Sequence, residues 1–261
     1  MPAKTRNVLI ACSDYYGPFY KDGENTGAFF LELLHPYLVF RDACFNVDIV
    51  TESGKIQFDD HSVAGPAIDK GSKGEEFLSY DDHIASGPEL SKAEKYVLEN
   101  KDDMFWRIVQ NSKTADEVNP DKYDIFFVAG GHATLFDFPK ATNLQKLGTS
   151  IYENGGVVAA VCHGPTLLPF MKRQTSDGSV SIVCGKDVTA FDRVAEDKSK
   201  LMEALKKYNL EVLDDMLNDA GANFIKSPNP FGDFVIADGR LVTGSNPASA
   251  TSTAKTALRV L

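Results

Sequence analysis

The chain has 261 residues, 43% hydrophobic and 25% charged, which is enough apolar material for one large α/β domain or two small ones. Its 37 Asp and Glu outnumber 27 Lys and Arg, and with no basic stripe to offset a net charge of -10, the composition argues against nucleic acid as a partner. No apolar run approaches a membrane span, and the stretch from Val8 to Cys12 is too short for a signal-peptide core, so no membrane partner is expected.

The cysteines, Cys12, Cys44, Cys162 and Cys184, lie far apart with no CxxC pair. That spacing fits neither a disulfide scaffold nor a zinc module. It points to a reducing compartment, so the expected location is cytoplasmic, with the nucleus left open.

NVLIAC at 7–12 reads as a buried strand opening into a loop at its carboxyl end. Residues 28–41 read as a helix with Phe29, Leu33 and Tyr37 spaced four apart, and Pro36 is expected to kink it or mark its end. FNVDIVTE at 45–52 is a second strand, and the right-handed crossover rule makes the two parallel neighbours or near neighbours. Residues 53–121 are polar and broken by Gly54, Gly65, Gly71, Gly74 and Pro88, with helices expected around 90–99 and 103–110. This region reads as a small cap insertion packed on the main sheet, its large apolar residues being Phe77, Phe105 and Trp106.

YDIFFVAGG at 123–131 and GGVVAAVCHG at 155–164 are unbroken apolar runs of the kind that strands covered on both faces require, joined by a helix over 141–154. Residues 195–208 have helical spacing, and VLDDMLNDAGA is a short helix stopped by Gly221. FVIADGRLVTG is a hairpin turning at Asp238 and Gly239, and 246–260 closes the chain as a helix with Pro247 in its first turn. Residues 1–261 therefore read as a single doubly wound α/β domain with a cap insertion at about 53–121.

Ala160-Val161-Cys162-His163-Gly164 stands where a buried strand should give way to a helix, with small residues that permit a sharp turn. That is the form of a nucleophile elbow, and a helix amino end facing the sulfur would lower the thiol pKa. A buried structural cysteine fits the same pentapeptide. Gly130 and Gly131, at the end of the preceding strand, can present backbone N–H groups to an oxyanion; the alternative is a plain turn. His132 beside them is a candidate substrate-binding or supporting residue, or a surface side chain.

Glu32 lies among Phe29, Phe30, Leu31, Leu33 and Leu34, which leave little polar face for it. A carboxyl group pushed into the interior there would have a raised pKa and could carry a proton. His35, His61 and His83 show no ligand spacing, and no glycine-rich stretch matches a nucleotide fingerprint. Neither a metal nor a cofactor is expected.

DGENTGAFFLELLHP, AGGHATLFDFP, NGGVVAAVCHGP and DGRLVTGSNPASA, in this order over nearly the whole chain, resemble the ThiJ/PfpI superfamily and within it the heat-shock-protein-31-like branch. The resemblance implies a flavodoxin-like, mostly parallel sheet with helices on both faces. It also implies glutathione-independent glyoxalase activity (glyoxalase III), a cofactor-free lyase reaction that turns methylglyoxal, a 2-oxoaldehyde, into D-lactate.

By that resemblance Cys162 is the nucleophile, His163 its neighbouring histidine and Glu32 the proton-shuttling glutamate. The third triad carboxylate falls in TAFDRVAED, on Glu196 by preference, with Asp192 and Asp197 also within reach. The oxyanion falls to the Gly131 and His163 amides. Homodimers are common in the superfamily, and stress-protective relatives add a holdase reading with unfolded clients. A hydrolase or deglycase on the same residues, or a redox sensor at Cys162, are the other readings of the site.

Overall fold

Successive side chains of a strand point to opposite faces, so a sheet covered on both sides needs strands apolar at every position. The computed structural model, which describes residues 6–62, 91–176 and 178–261, follows that rule. In chain order it has β1 (Asn7–Ala11), a hairpin of β2 (Gly17–Pro18) and β3 (Asn25–Thr26), α1 (Phe30–Asp42) and β4 (Asn46–Thr51). After residues 63–90 come α2 (Lys92–Glu99), α3 (Met104–Gln110), β5 (Lys113–Thr114), β6 (Ile125–Val128), α4 (Thr134–Asp137), α5 (Thr142–Glu153) and β7 (Val157–Val161). A 3₁₀ helix (Gly164–Phe170) leads to the hairpin of β8 (Lys172–Thr175) and β9 (Gly178–Ser181), then β10 (Asp187–Val188). The chain ends with α6 (Arg193–Lys198), α7 (Met202–Lys207), α8 (Leu213–Asp219), β11 (Asn223–Phe224), β12 (Val235–Asp238), β13 (Leu241–Gly244) and α9 (Ala250–Val260).

Seven strands form one sheet in the order β12-β13-β7-β6-β1-β4-β5, parallel throughout except for the β12–β13 hairpin. Leu9, Ala11, Phe126, Val128, Val158 and Ala160 face one core with α5, α8 and the 3₁₀ helix; Val8, Ile10, Ile125, Phe127, Val157 and Ala159 face the other with α1 and α9. This is the doubly wound, flavodoxin-like α/β architecture expected from the sequence.

Three local expectations are corrected. Pro36 does not end α1, which runs to Asp42; having no N–H, the proline leaves out the bond to the Glu32 carbonyl. The helical stretch at 195–208 is two helices, because Lys200 adopts φ +58 and the Lys200 and Leu201 N–H groups turn back to the Asp197 and Glu196 carbonyls, closing α6. The segment 113–114, read as part of the cap, pairs in parallel with β4 as the edge of the main sheet. Of the expected cap, Phe77 and His83 lie outside the described residues. Phe105 is buried against Phe30 and Tyr37, and Trp106 donates from Nε1 to the Val97 carbonyl at 2.8 Å.

Neighbouring strands β6 and β7 end at Val128 and Val161, so Gly130, Gly131 and His132 emerge beside Cys162 at the carboxyl edge of the sheet. Ligands of open α/β sheets bind at that edge.

Candidate active site

Cys162 follows β7 at φ +58, a left-handed conformation that costs a non-glycine residue about 1–3 kcal/mol and persists only where its surroundings fix it. Here they do. The Cys162 N–H donates to the Gly244 carbonyl on β13 at 3.0 Å, and the Cys162 carbonyl accepts from the Phe191 N–H at 3.0 Å. The His163 carbonyl accepts from the hydroxyls of Thr134 (3.0 Å) and Thr166 (2.7 Å). Gly164 must be glycine, since a Cβ there would stand 2.3 Å from the Val128 carbonyl oxygen.

From the sulfur a line of contacts runs inward. Cys162 Sγ is 3.3 Å from His163 Nδ1, His163 Nε2 is 2.7 Å from Glu196 Oε1, and Glu196 Oε2 is 3.2 Å from His132 Nε2. A proton on His163 Nε2 makes the carboxylate bond and leaves Nδ1 as a lone pair facing the thiol. Glu32 enters from the first turn of α1, where its Oε2 accepts the Gly130 N–H at 2.7 Å. None of Cys162, His163, Glu196, His132 and Glu32 is more than 2% exposed.

Of the three acids considered after Phe191, Glu196 is the one that reaches His163. Asp192 caps α6 by accepting the Ala195 N–H, and Asp197 lies on the exposed face of the helix. The Gly130 amide is taken by Glu32 and is no open donor for an oxyanion, a correction to its expected role. The Gly131 and His163 amides donate to no oxygen among the described residues. Gly131 sits at φ +106 with its Cα against the Gly27 carbonyl, where a Cβ would come within 2.3 Å. His132 is neither a surface side chain nor open to a ligand at Nε2, since that nitrogen is engaged by Glu196.

Burial sets the proton affinities. It pushes the Cys162 thiol well above its ordinary range, and the Glu32 and Glu196 carboxyls add to the rise while the His163 N–H opposes it. The lowering expected from a helix amino end is outweighed by burial, and the segment after the elbow is a 3₁₀ helix containing Pro165 and Pro169, not an α-helix. Glu32 rises to about 8 through burial, against the Cys162 thiol and the Gly130 N–H. His163 falls to about 4 through burial and the neighbouring His132; Glu196 pulls the other way, as expected of a triad acid, but is outweighed. Burial raises Glu196, yet His132 and His163 together outweigh it and hold the carboxylate at about 2. At neutral pH the site therefore carries a protonated Glu32, a neutral His163 and an ionised Glu196.

Residues assigned no role from the sequence complete the wall. The loop of the β2–β3 hairpin lays Phe19 on the His132 ring at 4.7 Å and Tyr20 on the His61 ring at 4.0 Å. The Tyr20 hydroxyl donates to buried Asp59 at 2.7 Å, and Phe191 packs on His163 at 4.9 Å. The acid-rich DDH run at 59–61 was the available clue to this anchor. Among the described residues, His132, His163 and Glu196 are the one His/Cys/Asp/Glu group whose ligand atoms lie within 4.8 Å of one another. Both imidazole Nε2 atoms already bond that carboxylate, so the trio is filled as a hydrogen-bonded network.

A cysteine on a strained turn at the carboxyl edge of a flavodoxin-like sheet, backed by an imidazole and a carboxylate, defines a class of elbow-type cysteine proteins. The chain belongs to the DJ-1/PfpI family, whose sequence profile matches residues 27–259. It is 44% identical over 258 residues to the glutathione-independent glyoxalase hsp3101 of Schizosaccharomyces pombe, covering 99% of this chain and 97% of that one. It is 40% identical to the glutathione-independent glyoxalase HSP31 of Saccharomyces cerevisiae, covering 95% of each. The crystal structure of glyoxalase III from Candida albicans superimposes with a TM-score of 0.84 at 34% identity, over 98% of this chain and 97% of that one.

Proposed function

We propose that this chain is a glutathione-independent glyoxalase that converts methylglyoxal and related 2-oxoaldehydes to the 2-hydroxy acid, D-lactate in the first case. The observation that carries the reading is the pair of proton carriers beside one thiol: Glu32, protonated up to about pH 8, and His163, unprotonated down to about pH 4. An internal redox exchange between adjacent carbons needs a donor and an acceptor of protons at the same moment. The full-length likeness to proteins named as glutathione-independent glyoxalases supports the same substrate class.

In this mechanism the Cys162 sulfur adds to the aldehyde carbon, the carbonyl electron pair moves to oxygen, and the thiol proton passes to His163 Nδ1 while the oxygen takes a proton from Glu32. The product is a hemithioacetal. The ionised Glu32 carboxylate then removes the proton from the former aldehyde carbon, giving an enediol as the adjacent ketone oxygen is protonated from His163. Reprotonation at the second carbon, with loss of the first carbon's hydroxyl proton, leaves a thioester. The first carbon is oxidised and the second reduced, so no external electron acceptor enters. Water cleaves the thioester to lactate and free thiol. In this mechanism the Gly131 and His163 amides hold the oxyanion, and Glu196 orients His163 throughout.

The test is D-lactate formation from methylglyoxal by the purified protein without glutathione, wild type beside Cys162→Ser. Product from the wild type alone is the expected result. Equal product from both would remove Cys162 from the mechanism, and none from the wild type would remove the substrate assignment.

A further inference from the structure

Glu196 is not a simple third member behind His163. Its two oxygens serve two imidazoles, Oε1 taking His163 Nε2 and Oε2 taking His132 Nε2, and the two rings lie with centroids 4.0 Å apart. His132 is itself held from three sides: Phe19 stacks on it, Phe191 meets it edge-on at 6.1 Å, and its backbone belongs to the turn whose Gly131 carbonyl accepts the Thr134 hydroxyl. A stacked, buried ring with one nitrogen committed to a carboxylate is fixed in position, and a carboxylate bonded through both oxygens is fixed in orientation.

We infer that His132 is a positioning residue of the proposed glyoxalase site: it anchors Glu196 through Oε2 and, as the second imidazole on that carboxylate, keeps His163 in its neutral, proton-accepting form. The inference rests on the reading of the site given above. Its physical basis is competition for one negative charge. An imidazolium on His163 would have to share Glu196 with a neighbouring ring that draws on the same anion, and the two rings repel when both are charged. The direction of the His163 and Glu196 affinities agrees, since His132 lowers both.

The other titratable groups facing His132 are few. Asp59, whose own affinity is raised by burial, faces it from the loop after β4 and is lowered by it in turn. Tyr20, from the hairpin, meets the ring edge-on at 6.3 Å. His61 stacks on Tyr20 with ring centroids 4.0 Å apart. The carboxylate balance on His132 is thus Glu196 by direct bond and Asp59 at longer range.

Two variants separate anchoring from charge. His132→Gln keeps an N–H donor for Glu196 Oε2 and removes the titratable ring, whereas His132→Phe keeps the stack on Phe19 and removes the donor as well. The primary readout is the titration of the His163 imidazole by heteronuclear NMR on the full chain, its signal assigned by loss in His163→Asn. In His132→Gln the His163 midpoint is expected to rise by about one to two units. The acid limb of kcat/KM for methylglyoxal should rise with it, leaving turnover at pH 5 reduced about two- to tenfold relative to its own plateau. His132→Phe should add a fall in the plateau. An unchanged His163 midpoint in His132→Gln overturns the inference, even if turnover falls at all pH values, because that would be a structural defect alone. Since the NMR titration needs no substrate, it decides the matter whether or not methylglyoxal is turned over.

Discussion

Glu32 and Gly130, 98 residues apart in sequence, meet at 2.7 Å, the carboxylate of α1 accepting the amide that follows β6. The contact exists because position 130 has no side chain. A Cβ there would stand 2.6 Å from Glu32 Oε2, 2.7 Å from the His163 nitrogen and 2.8 Å from the Val161 carbonyl oxygen. The carboxylate can swing aside; the two backbone atoms cannot without moving the elbow. Gly130→Ala is therefore expected to cost about 1–3 kcal/mol of stability through overpacking and backbone shift. It should also cut lactate formation at least tenfold, by about the free energy of one misplaced proton carrier, with Cys162 still in place. Chemical denaturation and turnover measured together check this, and a variant normal in both would mean that the elbow has more slack than its distances allow.

Glu32 also makes stability depend on pH in an unusual sense. Its affinity rises from 4.5 to about 8 on folding, so the folded chain holds a proton that the unfolded chain has released. The contribution is fully present below about pH 4.5 and is lost as the pH rises through about 8. The shift corresponds to as much as about 4–5 kcal/mol, an upper figure for a buried group. Glu32→Gln, neutral at every pH, should flatten that decline and be more stable than the wild type at pH 9, while turning over no substrate. Thermal unfolding of both proteins at pH 5, 7 and 9 measures it; parallel curves would mean that Glu32 titrates normally.

The parts legible in the sequence are those that burial dictates locally. Strands covered on both faces have to be apolar at each position, which is why β1, β6 and β7 could be read directly, and Glu32 declared itself by having no polar neighbours. Cys162 and His163 are adjacent in the chain, so their pairing needed no tertiary knowledge. The Glu196 contacts span 33 residues to His163 and 64 to His132, and acids of similar local standing at 192 and 197 left the choice to the resemblance. Lys200 looks like any helical lysine until its φ is known. The 3₁₀ helix after the elbow was signalled by Pro169, which no α-helix interior accommodates without loss, but the expectation of a strand-to-helix elbow masked it.

Glu196 acts on the opposite side of neutrality. Its affinity falls from 4.5 to about 2 on folding, so its stabilising contribution is present above about pH 4.5 and disappears as the pH falls through about 2. Glu196→Gln should forfeit up to about 3 kcal/mol at pH 7 and show little of the wild-type loss between pH 4.5 and 2. It should also lose roughly 10²–10⁴ in kcat, the range for a misdirected general base. Acid titration by circular dichroism beside kinetics at pH 7 provides the check. An active, acid-sensitive variant would assign the carboxylate to packing.

The last prediction concerns access to the sulfur. Cys162 is 1% exposed, so any reagent reaches it only when part of the wall moves. The β2–β3 hairpin lies on His132 through Phe19, and His132 stands beside His163, so opening of this hairpin is the expected route to the sulfur. The hairpin is tied down on one side by Tyr20 to Asp59 and by the Asn25 N–H to Asp60 at 2.8 Å, and on the other by Lys21 to Glu203 at 2.7 Å. These ties differ in strength. Lys21 and Glu203 are both mostly exposed, so water and salt screen their attraction and Glu203→Ala should change the alkylation rate of Cys162 less than about twofold. Tyr20 and Asp59 are buried, and removing the hydroxyl leaves a buried carboxyl short of a donor at a cost of about 1–3 kcal/mol. Tyr20→Phe should therefore open the hairpin more often and speed iodoacetamide labelling of Cys162 by about tenfold, given that about 1.4 kcal/mol is a factor of ten in the open population. Equal labelling rates in the wild type and Tyr20→Phe would place the route to the sulfur elsewhere than under this hairpin.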